Sequence, residues 1–180
     1  AVVVFVLLTA SGRDVGAQVL NEAFLRSTVL VMFQAGPNKV SAGTGFFVFR
    51  PVKGDEGHVF LVTNKHVLPS EGSAQSIRIR VSVGSVEKPS VRFVEVAVVG
   101  QNGKYLSNVR VHPQGFDVAA VNVTHTIVKE GVQATWLPLD LLATPECLKN
   151  ENITVGDEIF LLGYPDAIFD PRNVSPILRT

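Results

Sequence analysis

Along residues 76–83, SIRIRVSV, apolar and polar side chains alternate strictly. Ile77, Ile79, Val81 and Val83 fall on one side, and Arg78, Arg80 and Ser82 on the other. A period of two predicts a strand with one face toward a core and the other toward solvent. Short apolar runs of the same kind recur at 27–34 (STVLVMFQ), 44–50 (TGFFVFR), 58–64 (HVFLVTN), 91–99 (VRFVEVAVV), 105–111 (YLSNVRV), 117–123 (DVAAVNV) and 157–164 (DEIFLLGY). Gly, Pro, Asn and Asp punctuate the intervals between them, as turns require. DVAAVNV and IFLLG are almost continuously apolar, which predicts strands covered on both faces. No long stripe of period 3.6 occurs; NEAFLRS (21–27) predicts a short helix, and KHVLP (65–69) a single turn. Many short strands with turn signals between them predict an all-β barrel or sandwich. Residues 129–155 read as a longer connection toward a second sheet.

Composition narrows the possibilities. At 180 residues the chain can bury one full core or two small lobes, and 46% hydrophobic with 18% charged residues describes a folded chain. Sixteen basic and sixteen acidic residues cancel, and no Lys/Arg cluster interleaves with aromatics, so neither nucleic acid nor an anionic membrane is expected as a partner. Cys147 is the single cysteine, which excludes an intrachain disulfide and any CxxC motif. Ala1–Ala10 carries no charge. It is far shorter than the about 20 apolar residues of a membrane span, but fits the apolar region of a signal peptide. Val15-Gly16-Ala17 behind it resembles a cleavage site. Residues 1–17 are therefore expected to be the remnant of an export signal, which places the protein in a secreted or periplasmic setting. The competing reading is a buried strand, VVVFVL.

Candidate chemistry centres on LVTNKHVL (61–68). His66 follows Thr63-Asn64-Lys65, where a strand ends and a turn begins, the usual position for a functional side chain on a rigid scaffold. Upstream, the two glycines of Gly43-Thr44-Gly45 allow a close backbone approach beside it. A catalytic imidazole needs a carboxylate on its second nitrogen to fix the tautomer. Asp117 stands at the lip of the apolar strand that begins with Val118. Each residue alone also fits a structural role, His66 as a satisfied core histidine and Asp117 as a strand-edge acid. His58, His112 and His125 lack metal-ligand spacing, so no metal site is expected. Cys147 has no Gly-flanked turn and lies too soon after Asp117 to be a nucleophile. Asn122, Asn152 and Asn173 match a glycosylation pattern at near-chance frequency. Gly43-Thr44-Gly45 lacks the lysine and helix of a phosphate loop.

Taken in order, GTGFF, LVTNKHVL, FDVAAVNV and GDEIFLLGYP resemble trypsin-like serine peptidases, with the bacterial HtrA type the nearest in pattern. In that family a histidine follows a strand within T-x-x-H-V, here Thr63 to Val67. An aspartate opens a D-[IVL]-A segment, here Asp117-Val118-Ala119, 51 residues after His66. A G-[DE]-x-[VI]-x-x-x-G-[YFN]-P segment leads into the second barrel, here Gly156 to Pro165. The resemblance spans residues 27–180. It implies a chymotrypsin-like double antiparallel β-barrel, the first barrel occupying 18–155 with its connection and the second begun at 156–180. It also implies that His66 acts as general base and acid and Asp117 as its orienter, on polypeptide substrates and with no cofactor. The family's G-[ND]-S-G-[SG]-P turn is absent. Ser11 and Ser41 precede His66, and Ser175 falls where the second barrel would open. The nucleophile is thus expected past Thr180, and the 180 residues as the inactive N-terminal part of an exported endopeptidase. The rival reading is a non-catalytic β-barrel binding or scaffold module that has lost the nucleophile. Specificity and oligomeric state have no signature in these residues.

Overall fold

The computed structural model describes residues 3–5, 22–54, 56–73, 75–84, 88–157, 159–165 and 176–179. The expected all-β architecture is what they form. In chain order the strands are β1 (Val3–Phe5), β2 (Thr28–Gly36), β3 (Lys39–Lys53), β4 (Glu56–Thr63), β5 (Gln75–Gly84), β6 (Pro89–Val99), β7 (Val109–Val111), β8 (Ala119–Asn122), β9 (Leu137–Pro138), β10 (Phe160–Gly163) and β11 (Ile177–Arg179). Three short helices accompany them: α1 (Glu22–Ser27), α2 (Thr124–Lys129) and α3 (Pro145–Asn150).

The larger sheet runs β6-β5-β2-β3-β4-β8-β7 with antiparallel neighbours, and β9 adds to β3 in parallel through Val48 and Leu137. β3 organises this sheet: its first half pairs with β2 and its second with β4, and Gly45 and Phe46 belong to both ladders. Just past β6 the chain reverses direction. Val99 of β6 bridges Tyr105, and the Leu106 N–H donates to the Val98 carbonyl at 2.9 Å. The smaller sheet, β1-β10-β11, is antiparallel and lies apart in the strand order.

Strand alternation explains why the chain has two cores. Phe47 points to the inner face with Val29, Val31, Leu61, Ile77, Ile79 and Val121, all but sealed from solvent. Phe46 and Val48 point the opposite way, where Leu137, Leu162 and the α1 residues Phe24 and Leu25 cover them. The run GFFVF (45–49) is therefore apolar at every position because both faces of β3 are packed. Full burial of a side chain such as Phe47 contributes about 2–3 kcal/mol.

Two expectations are revised. Arg80, on the side of β5 expected to meet solvent, is buried, because its guanidinium lies 5.9 Å from the centre of the Tyr164 ring just past β10. The run 105–111 is a strand only at Val109–Val111, Tyr105 making the isolated bridge instead. The connection 129–155 has short elements of its own. It carries β9 and α3, the latter capped by the Thr144 hydroxyl, which accepts the Cys147 N–H at 3.1 Å. Within the segment read as an export signal, Val3–Phe5 pairs antiparallel with β10.

Candidate active site

The antiparallel ladder between β4 and β8 fixes where the two singled-out residues meet. Thr63, the last residue of β4, pairs with Ala119, the first of β8. His66, three residues past one end, and Asp117, two before the other, are thereby delivered to the same edge. A 3-10 turn over Lys65–Val67, closed by Val67 N–H to the Asn64 carbonyl (3.0 Å) and Leu68 N–H to the Lys65 carbonyl (3.0 Å), lifts the imidazole off the strand. Val67 and Leu68 anchor that turn in the inner core. His66 lies outside that core, with 58% of its side chain exposed, so the core-histidine reading does not hold.

Asp117 grips the turn twice. One carboxylate oxygen accepts the His66 backbone N–H at 3.0 Å, and the other lies 2.5 Å from His66 Nδ1. The Asn64 amide donates to the Asp117 carbonyl at 2.9 Å, tying both backbones together. The His66 backbone N–H, followed by the bond to its ring, holds the Asp117 carboxyl below the usual carboxylate range. With Nδ1 engaged, Nε2 is the ring nitrogen left for proton transfer. A ring fixed through Nδ1 by a carboxylate can accept a proton at Nε2 and have the resulting imidazolium stabilised in place.

Residues that read only as a strand entrance in the sequence complete the support. Val67 packs directly on Gly43: a Cβ there would stand 2.5 Å from one Val67 methyl carbon and 2.8 Å from the other. Thr44 joins three segments. Its carbonyl accepts the Thr63 hydroxyl at 2.7 Å, and its own hydroxyl accepts the Tyr164 N–H at 2.9 Å. A Cβ at Gly163 would lie 2.9 Å from that hydroxyl oxygen, so the Thr44 side chain requires the small residue of the GYP segment. Asn64 is the positioning group the sequence reading passed over as a turn former. Its only signal is its place between the strand and the histidine, since the partner is a backbone carbonyl.

The remaining candidates lie elsewhere. Ser41 is in β3 and Cys147 in α3, while Ser11 and Ser175 fall outside the described residues. Among the described residues no three His, Cys, Asp or Glu side chains gather as metal ligands. No described helix is long and apolar enough to cross a membrane.

Comparison with known proteins gives one match. The family model for the trypsin-like peptidase domain matches residues 43–176. No curated protein and no solved structure matches this chain.

Proposed function

The chain belongs to the trypsin-like peptidase domain family, and from that premise we propose that it provides the base and its orienter for hydrolysis of polypeptides by acyl transfer. The observation that carries the proposal is the 2.5 Å contact between His66 Nδ1 and the Asp117 carboxylate at an exposed strand edge. Nε2 of His66 would take the proton of a serine hydroxyl as its oxygen attacks the scissile carbonyl. The same nitrogen would then return the proton to the leaving amine, while Asp117 holds the ring and steadies its charge. The sequence contains no Gly-x-Ser-Gly turn, so the proposal takes the nucleophile from outside these 180 residues. The order and spacing of the motifs support the HtrA-like type within the family.

The test is to express the reading frame continued past Thr180 and measure cleavage of casein and of a fluorogenic peptide library. His66→Ala and Asp117→Asn should each lower kcat/KM by roughly 10³–10⁴-fold or more. Unchanged activity in the His66→Ala variant would sink the assignment. A continued chain that binds polypeptide without cleaving it would favour the scaffold reading.

Export is the second part of the proposal. It is supported by the uncharged Ala1–Ala10 and the small residues behind it, while the pairing of Val3–Phe5 with β10 speaks for a structural role instead. N-terminal sequencing of the mature protein distinguishes them: export with cleavage predicts a start near Gln18, and retention of Ala1–Ala10 refutes it.

A further inference from the structure

On the outer face of the larger sheet, away from the dyad, lies an open groove of about 990 Å³. His58 and Phe60 of β4 form its floor, Arg50 of β3 and Arg110 of β7 flank it, and His125 and Val128 of α2 form a wall. Its position follows from β4. His58 and Phe60 lie toward the start of that strand and His66 follows its end. Five strand residues separate His58 from Thr63, roughly 17 Å of extended chain.

Among the described residues no acidic side chain lines this groove, although the chain as a whole is neutral. The strand pairing makes the imbalance sharper. On β5 and β6, Arg78 stands directly opposite Glu95 and bonds to it at 3.0 Å. On β3 and β4, Arg50 stands directly opposite His58, a pairing that offers no cross-strand attraction. Among the described residues neither Arg50 nor Arg110 has a carboxylate partner; Arg110 spends one nitrogen on the Ser107 and Val109 carbonyls.

Asn108 also lines the groove, its amide nitrogen donating to the Ala97 carbonyl at 3.1 Å.

We propose that this groove is a docking site for an acidic polypeptide segment, separate from the His66–Asp117 edge and independent of the reading of that edge as catalytic. The segment's carboxylates would lie between Arg50 and Arg110, and an apolar side chain would rest on Phe60 and Val128. An acidic polypeptide meets both demands at once. A nucleic-acid strand would seek a longer basic track and exposed stacking faces, whereas Phe60 is half-buried with its ring edge-to-face with His58.

The experiment is fluorescence anisotropy on the 180-residue chain at low salt. The probes are a labelled eight-residue peptide alternating Glu and Leu, its Gln–Leu counterpart, and a labelled single-stranded RNA octamer. The Glu–Leu peptide should bind, and the Gln–Leu peptide should bind at least tenfold more weakly. Arg50→Gln combined with Arg110→Gln should weaken the Glu–Leu peptide about tenfold, or about 1.4 kcal/mol, while Arg78→Gln leaves it unchanged. Both arginines are exposed, so an unaltered urea midpoint will certify the fold of the double variant. Failure of the Glu–Leu peptide to bind, equal binding of the Gln–Leu peptide, insensitivity to the double substitution, or tighter binding of the RNA each overturns the proposal.

Discussion

Replacing Gly43 by alanine tests whether the seat of the histidine is set by one missing methyl group. The new Cβ would lie 2.5 Å and 2.8 Å from the two Val67 methyl carbons and 3.3 Å from Val67 Cβ. Carbon atoms rest at about 3.5–4.0 Å, so the shortfall is close to 1 Å against both methyls together. Val67 is only 2% exposed, and its branched side chain is stiff at χ1. The strain of such overpacking is typically about 1–3 kcal/mol, and the stiffness of this contact places it near the upper end. Removing a glycine from a strand returns roughly 0.5–1 kcal/mol, which leaves a net loss of about 2 kcal/mol. For a chain of this size that corresponds to a fall in Tm of roughly 4–8 °C. Val67→Ala alone should cost a similar amount by emptying core volume. In the double variant the alanine methyl at 43 occupies space that Val67 has vacated. The two losses should therefore fall short of adding by about 2 kcal/mol. Urea unfolding of the four proteins measures that coupling, and the imidazole Nδ1 proton resonance of His66 reports whether the turn has moved. A Gly43→Ala protein as stable as the parent, or losses that simply add, would refute the reasoning.

The pH dependence of stability follows from Asp117. Its carboxyl is held below the ordinary range in the folded state, so its contribution is present above the unfolded value of about 3.9 and is lost as pH falls through the folded value. Urea midpoints of the parent and Asp117→Asn should thus differ at pH 6 and converge as pH falls below the unfolded value and through the lower folded one; a gap that persists in acid contradicts this. Thr44→Val removes the acceptor of the buried Tyr164 N–H and should cost about 1–3 kcal/mol, with Thr44→Ser restoring most of it. Hydrogen exchange at the Tyr164 amide checks this directly, and an amide equally protected in Thr44→Val would count against it. Asn64→Ala, losing its bond to the Asp117 carbonyl, should destabilise by about 0.5–1.5 kcal/mol and broaden the His66 ring resonances; sharp, unshifted resonances would show that the amide does not position the dyad.

The strands most legible in the sequence were those whose pattern has a single cause. β5 reads directly from SIRIRVSV, because Ile77, Ile79 and Val81 face one continuous core. The same pattern misplaces Arg80, since the residue that covers it, Tyr164, lies 84 positions away, just past a strand of the other sheet. β9 escaped notice altogether. It has two residues, Leu137 and Pro138, and owes its existence to the vacant edge of β3 rather than to any periodicity of its own. At the site, His66 and Asp117 were legible because each sits at a strand boundary that the apolar pattern marks. What joins them was less so. The Asn64 and Thr44 contacts run partly through backbone carbonyls, which have no sequence identity, and the space above Gly43 is defined by Val67, which the sequence shows only as another apolar residue.

Thr44 has a mechanical consequence. Through its carbonyl it holds the last residue of β4, and through its hydroxyl it holds the first residue after β10. Thr63 lies three residues before His66, so the side chain that fastens the start of the segment after β10 also fastens the strand end from which the histidine turn departs. Leu162 against Phe46 and Val48, and Arg80 over the Tyr164 ring, join the two sheets beside it, so loss of the Thr44 hydroxyl should loosen this junction without separating the sheets.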